Sequence, residues 1–349
     1  MRVLLTTPYD LAVPGGVNRH ARGLLAALCA RGVDARLVGP ASAPLAERDP
    51  RITVLGRVWV GGFNGAHSRV TLDLGLGPAL RRLLRAFQPD VVHLQEPFAP
   101  TLNTFALLLA GRARRVGTFH TYSETSRGYL WSWPWCRWIN RRLDVRIAVS
   151  AAARDFATRY HPAAFQIVPN GVCLPPPERM RPPGPLANPV RLLFVGRADE
   201  PRKGFAVLRE AMRRLEVRAP GRHVLEAVGP ATSRGTIGDA ELSAAWASAD
   251  VCVVPSLSNE SFGLVALEAL AHGVPVVATA IRGYADWLAG AGVGELVAPG
   301  DAGALAGAVW ALTNDPVRFL ACAARARPLA ERYGGDAIAA QLIALYRGA

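Results

Sequence analysis

Four things are scarce or missing in this chain of 349 residues, and each absence excludes a class. Cysteine is sparse: Cys29, Cys136, Cys173, Cys252 and Cys322 lie far apart, odd in number and without a C-x-x-C pair. That excludes a disulfide framework and a zinc module, and reads as reduced, buried thiols in a cytoplasmic protein. No apolar run reaches the roughly 18 residues needed to span a bilayer, so membrane contact is expected to be peripheral, on the inner face. Met1-Arg2-Val3-Leu4-Leu5 leads straight into a strand, and no secretory leader is expected. Lysine is scarce, most of the 40 basic residues being Arg. Arginine favours forked recognition of phosphate, and a GC-rich genome gives the same bias.

What is present is a hydrophobic, strongly basic chain. Half its residues are hydrophobic and its formal net charge is +13. The charge favours an anionic partner such as nucleic acid, an acidic membrane surface or a phosphorylated substrate. The length favours two domains.

Val3–Thr6, a Pro14-Gly15-Gly16-Val17 turn, a helix from about Asn18 to Arg31 and a strand at Ala35–Gly39 form a βαβ unit, which predicts a parallel sheet. Short apolar strands follow at Asp90–Leu94, Val116–Phe119, Arg146–Val149 and Phe165–Val168, with helices near 78–87, 101–110 and 151–160. Seven prolines between Pro175 and Pro189 mark a linker over 173–189. A second α/β series has strands at Arg191–Val195, Val224–Val228, Val251–Val254, Val274–Ala278 and Gly294–Val297. Its helices run near 204–216, 239–248, 262–272 and 301–314. The segment Pro316–Tyr346 reads as helical throughout, packing back on the first domain. The expected division is thus 1–172, a linker 173–189, 190–330, and a C-terminal helix 331–349. Two doubly wound sheets bind ligands in a cleft at the carboxyl ends of their strands.

The residues at those ends carry the chemistry. In Asn259-Glu260-Ser261-Phe262-Gly263-Leu264, Ser261 reads as the N-cap of a helix, and the amides of Phe262, Gly263 and Leu264 as an anion cradle. Glu260 precedes the helix and Glu268 lies two turns in, so two acceptors flank the cradle; an ordinary capped amphipathic helix fits the same residues. Arg197 and Lys203 follow the first strand of the second half, where two cations can share a pyrophosphate. Gly15 and Gly16 allow positive φ and close approach of a ligand. They do not form G-x-G-x-x-G, which disfavours a nicotinamide enzyme. His120 ends the Val116–Phe119 strand, facing the expected cleft.

The set Gly15-Gly16, Thr118-Phe119-His120, Pro169-Asn170-Gly171-Val172, Gly196-Arg197 through Arg202-Lys203-Gly204, and Glu260-x7-Glu268 resembles the retaining glycosyltransferases of family GT4. Within them it is similar to the phosphatidylinositol mannosyltransferase type, through Pro8-Tyr9, Val13 to Val17, His20, Glu96-Pro97 and Ala99-Pro100. The resemblance implies the GT-B fold, an α/β architecture of two Rossmann-like domains. It implies a nucleoside-diphosphate sugar donor, GDP-mannose favoured and a UDP-sugar as the alternative. Arg197 and Lys203 would hold the pyrophosphate, helped by the amides of Gly16, Gly263 and Leu264. Glu268 would bind the ribose, Glu260 the sugar, and His120 would lie near the anomeric centre. No D-x-D motif is present, and no metal or other cofactor is expected.

For the acceptor the resemblance points to Tyr9, Asn18, Phe63, Asn64, Arg69 and Thr121, with Phe63 and Asn18 departing from the pattern of the inositol enzymes. A phosphatidylinositol-type lipid is one acceptor; a soluble sugar, a natural product or a polyprenyl-linked acceptor is the other. Two segments suit an anionic lipid surface: a basic helix with Arg81, Arg82 and Arg85, and Tyr129–Arg142, which holds four of the eight tryptophans beside Arg137, Arg141 and Arg142. Trp131, Trp135 and Trp138 share one face if that segment is helical; packed inward they would be core. A non-catalytic nucleotide-sugar binder would keep Arg197 and Lys203 without needing His120 or Glu260. A nucleic-acid role is disfavoured, because it leaves the two-domain cleft unexplained.

Overall fold

The computed structural model describes residues 1–45, 48–63, 66–124 and 132–348. They form two compact units: Met1–Gly171 with Gly335–Ala349, and Val172–Gly334.

The first unit is built on a seven-stranded sheet in the order β3-β2-β1-β6-β7-β8-β9, with every pair parallel. The strands are β1 (Arg2–Thr6), β2 (Asp34–Gly39), β3 (Ile52–Val54), β6 (Val91–Gln95), β7 (Arg114–Phe119), β8 (Val145–Ala148) and β9 (Gln166–Ile167). In β1 and β6 the side chains alternate between two buried faces, which is why the sequence reads there as continuous apolar runs. Val3 and Leu5 pack against α1 (Gly16–Ala30), while Leu4 lies with Leu80 and Leu84 of α2 (Gly77–Phe87). The opposite layer also holds α3 (Leu102–Leu109), α4 (Trp133–Asn140) and α5 (Ala151–Tyr160).

Two strands, β4 (Val58–Phe63) and β5 (Ala66–Thr71), form an antiparallel hairpin that the sequence reading leaves out. Trp59 and Val60 are both exposed on it, so no alternation of buried and exposed positions marks it as a strand.

The second unit has five parallel strands in the order β11-β10-β12-β13-β14: β10 (Val190–Val195), β11 (His223–Val228), β12 (Val251–Val254), β13 (Val276–Thr279) and β14 (Gly294–Val297). One face is covered by α6 (Phe205–Arg218), α10 (Ala302–Thr313) and α11 (Pro316–Glu331), through Leu208, Leu215, Val309, Leu312 and Phe319. The remaining helices are α7 (Asp239–Ser248), α8 (Leu264–Ala271) and α9 (Arg282–Leu288). The proline-rich stretch 173–189 belongs to this unit, pinned by a buried Arg181–Asp250 ion pair of 3.0 Å and by the Arg181 N–H bond to the His272 carbonyl.

The carboxyl-terminal stretch is two helices rather than one. Helix α11 stops at Glu331, Tyr333 and Gly334 turn the chain, and α12 (Gly335–Arg347) packs against α1 in the first unit. Leu342 lies fully inside that cluster with Val3, Leu24 and Leu28. Leu342→Ala is therefore expected to destabilise the first unit by ~2–5 kcal/mol. Hydrogen exchange resolved by segment checks this, with protection falling in β1 and α1 and unchanged in β10 to β14.

Candidate functional site

In the second sheet the connection leaving β10 runs to β11 on one side, whereas β12 lies on the other. The loops after β10 and β12 diverge at that switch point, where doubly wound sheets bind ligands. The two loops are stitched together: the Leu257 N–H donates to the Arg202 carbonyl at 2.7 Å, and Arg202 Nη1 donates to the Asn259 carbonyl at 3.3 Å.

Every cation of the first loop faces a carboxylate. Arg197 lies 3.1 Å from Asp199 and 3.1 Å from Glu200, and Arg202 lies 2.6 Å from the other Glu200 oxygen. Lys203, the chain's only lysine, places Nζ 2.7 Å from Glu260 Oε2, with both side chains mostly buried. Burial alone would raise the Glu260 pKa. The charge and hydrogen bond of Lys203, with Arg202 and Tyr284 behind them, outweigh it and hold the carboxyl below its ordinary value. Glu260 is therefore ionised at neutral pH. Sequence reading separates Lys203 and Glu260 into a phosphate ligand and a sugar ligand; the fold joins them.

The helix start differs from expectation. Helix α8 begins at Leu264, so Ser261 is not its N-cap, and Ser261 and Phe262 lie in the bend before it. The cap is Gly263 at φ +89, with no side-chain hydrogen bond, and a Cβ there would meet the Tyr284 ring at 2.2 Å. The open amides are those of the first turn from Leu264 onward, and the amides of Phe262 and Gly263 precede the helix. Phe262 is buried, stacked on Trp287 at 5.5 Å, and its carbonyl accepts from Trp287 Nε1 at 2.8 Å. Glu268 sits in the second turn, 8 % exposed. Tyr284 and Trp287 belong to α9, an element sequence reading omits. Its apolar residues are spaced like a helix, yet it is only seven residues long and carries Gly283 at its second position.

In the first unit the switch point lies between β1 and β6. Helix α1 starts at Gly16 after an extended Gly15 (φ −162), and neither glycine has positive φ, which corrects the expectation for both. No side chain caps this helix start. Asn18 does not face outward: its amide accepts from Thr7 Oγ1 at 2.9 Å and donates to the Asp10 carbonyl at 2.7 Å, bracing the β1–α1 turn from a buried position. Asp10 is buried and accepts from Ser42 and from Arg69 Nε at 3.0 Å. Burial would raise its pKa, but the bonds from Ser42, Ala12 and Arg69 bring it below the ordinary value.

His120 stands at the end of β7, buried, with Nε2 2.7 Å from Gln95 Oε1 and its ring edge-on to His20 at 5.4 Å. Burial first, then His20 and His93, hold its pKa well below 6.5, so it is neutral. Glu96 accepts from the His120 N–H at 3.1 Å and from Thr121 Oγ1 at 2.8 Å. Tyr9 lies close enough for Glu96 to add to the burial that raises its hydroxyl pKa. Asn64 lies outside the described residues.

Two surface helices of this unit are basic. On α2, Arg81, Arg82 and Arg85 are exposed while Leu80, Leu84 and Phe87 are buried. A pocket of about 490 Å³ beside it is lined by Leu74, Pro78, Arg81, Arg82, Phe105 and Leu109. On α4, Trp135 stacks on Trp138 at 5.2 Å, Arg142 covers Trp138 at 3.9 Å, and Trp133 and Trp135 remain exposed. Trp131 lies outside the described residues. Among the described residues no helix is long and apolar enough to cross a membrane, and no three His, Cys, Asp or Glu side chains group as metal ligands.

Residues 14–174 match the family described as Glycosyltransferase Family 4, and residues 189–315 match Glycosyl transferases group 1. The phosphatidyl-myo-inositol mannosyltransferase of Mycobacterium leprae is 33% identical, over 99% of this chain and 96% of its own length. That of Propionibacterium freudenreichii is 34% identical, over 99% and 94%. Among solved structures, sucrose-phosphate synthase from Thermosynechococcus elongatus has a TM-score of 0.76 at 23% identity, covering 99% of this chain and 98% of that one. Anabaena HepE in complex with UDP and glucose also has 0.76, at 18% identity, covering 99% of each. These structural likenesses show the fold, which is GT-B. Taken with the full-length relatives, they make the chain a glycosyltransferase that belongs to family 4.

Proposed function

We propose that this enzyme transfers a hexose, mannose in the first instance, from a nucleoside-diphosphate sugar to a hydroxyl of a phosphatidylinositol-type lipid, with retention of anomeric configuration. The observation that carries the donor side is the Lys203–Glu260 pair at the switch point of the second sheet, beside Arg197 and the start of α8. The names of the full-length relatives support the mannosyl and inositol parts.

Breaking a glycosyl–phosphate bond leaves negative charge on the departing diphosphate and positive charge on the sugar. Preplaced cations and helix-end amides stabilise the former. Arg197 and Lys203 take the diphosphate, with the first-turn amides from Leu264 beside them. A phosphate oxygen arriving at Lys203 displaces Glu260, which is then free to accept from sugar hydroxyls. Glu268 takes the ribose. His120, a neutral imidazole, can hydrogen-bond the sugar without adding charge of the same sign as the developing cation. Glu260 orients hydroxyls and is not the nucleophile of a two-carboxylate scheme, so retention proceeds by a front-face, dissociative route. Tyr9, Phe63, Asn64, Arg69 and Thr121 serve the acceptor, while Asn18 braces the loop behind them. The basic faces of α2 and α4 bring the enzyme to an anionic bilayer, each arginine near the surface contributing roughly 1 kcal/mol.

The sole lysine makes the donor site directly observable. Lysine-selective isotope labelling should give one side-chain resonance, perturbed by GDP-mannose and lost as a responder in Glu260→Gln; an unmoved signal at saturating GDP- and UDP-sugars sinks the assignment of Lys203. In a transfer assay, His120→Ala should lower turnover by at least 100-fold while donor affinity stays within a few-fold, and the wild-type product should keep the donor's anomeric configuration. An inverted product rejects the retaining route. Flotation with vesicles containing phosphatidylinositol should carry the enzyme upward, and less so after Arg81→Glu/Arg82→Glu. No flotation points to a soluble acceptor instead.

A further inference from the structure

Parallel strands buried on both faces normally carry apolar side chains, yet polar ones also lie buried inside the first sheet, among them His93 and Gln95 on β6 and Thr118 on β7. With Tyr346 of α12 these three form one chain of hydrogen bonds that ends on His120. Tyr346 Oη lies 2.6 Å from His93 Nδ1, and Thr118 Oγ1 lies 2.6 Å from His93 Nε2. Gln95 Nε2 approaches the same His93 Nε2 at 3.4 Å, and Gln95 Oε1 lies 2.7 Å from His120 Nε2.

Donors and acceptors fix where the protons sit. The Gln95 amide oxygen only accepts, so His120 Nε2 carries a proton. The Gln95 NH2 group, in the orientation shown, only donates, while the Thr118 hydroxyl can donate or accept and follows it. His93 Nε2 is therefore unprotonated, and its proton is on Nδ1, donated to Tyr346 Oη. His120 Nδ1 is left as the bare nitrogen, and it makes no hydrogen bond among the described residues.

We propose that Gln95, His93 and Tyr346 are positioning residues that lock His120 in the Nε2–H tautomer, so that it offers its ligand an acceptor at Nδ1. The effect on catalysis rests on the reading of His120 as a sugar contact; the tautomer itself does not.

Two-bond proton–nitrogen correlation spectra of the imidazoles, recorded on the full chain, test this. The wild type should show His120 protonated on Nε2, and protonation on Nδ1 overturns the proposal outright. Tyr346→Phe removes the acceptor three hydrogen bonds away. The His93 proton should then move to Nε2, the Gln95 amide should turn to meet it, and His120 should switch to Nδ1–H. Gln95→Leu removes the last link and should give a mixture of both His120 tautomers. His20 is the internal control: its Nδ1 accepts from the Gly171 N–H at 3.2 Å, so it should stay protonated on Nε2 in every sample. A His120 signal that keeps the wild-type tautomer in both variants, with His20 unchanged, overturns the relay. If the tautomer switches but His120→Ala retains full turnover, the relay stands and the catalytic reading of His120 falls.

Discussion

Burial of a parallel strand on both faces is the constraint from which the rest of this structure follows. A side chain on β1 or β12 meets a helix layer whichever way it points, so polar groups without partners are costly there. Chemistry is pushed to the carboxyl ends, where loops diverge at the switch points. Arg197, Lys203 and Glu260 in one unit, and Asp10, Glu96 and His120 in the other, all lie at or just beyond a strand end. The exceptions, His93 and Gln95, are tolerated because each polar end of the two side chains has a hydrogen-bond partner.

The same constraint explains what could be seen in the sequence. The apolar runs of the central strands and the α1 pattern Ala21, Leu24, Leu25 and Leu28 carry their own periodicity, so the α/β order and the two sheets were legible. The residues proposed for the donor site stood out as well, because strand-end loops carry unusual residue types. Their pairing did not. The Lys203–Glu260 pair joins positions 57 apart, and nothing local announces it. The true start of α8 depends on Tyr284, which forbids a side chain at Gly263 from an element a further turn of sheet away. The exposed hairpin lacked a period, and in α9 a seven-residue length and Gly283 hid a helical spacing.

The site as folded is a set of ion pairs. Three basic side chains of the Arg197–Lys203 loop each hold a carboxylate, so a basic protein presents a locally balanced surface where its anionic ligand is proposed to bind. Under the proposed donor mode specificity follows: a ligand must bring both an anion for Lys203 and hydroxyls for the displaced Glu260. A bare phosphate offers only the first, and a neutral sugar only the second.

The ion pair also changes what binding must overcome. An ammonium group standing alone in water keeps a tight hydration shell, which an incoming phosphate would have to strip. At Lys203, whose side chain is 19 % exposed, much of that drying accompanies folding, with Glu260 standing in for the water. An anion that takes the carboxylate's place, as proposed for the donor, exchanges one largely buried contact for another. The solvent reorganisation that slows ionic encounters in water is then largely over before the ligand arrives.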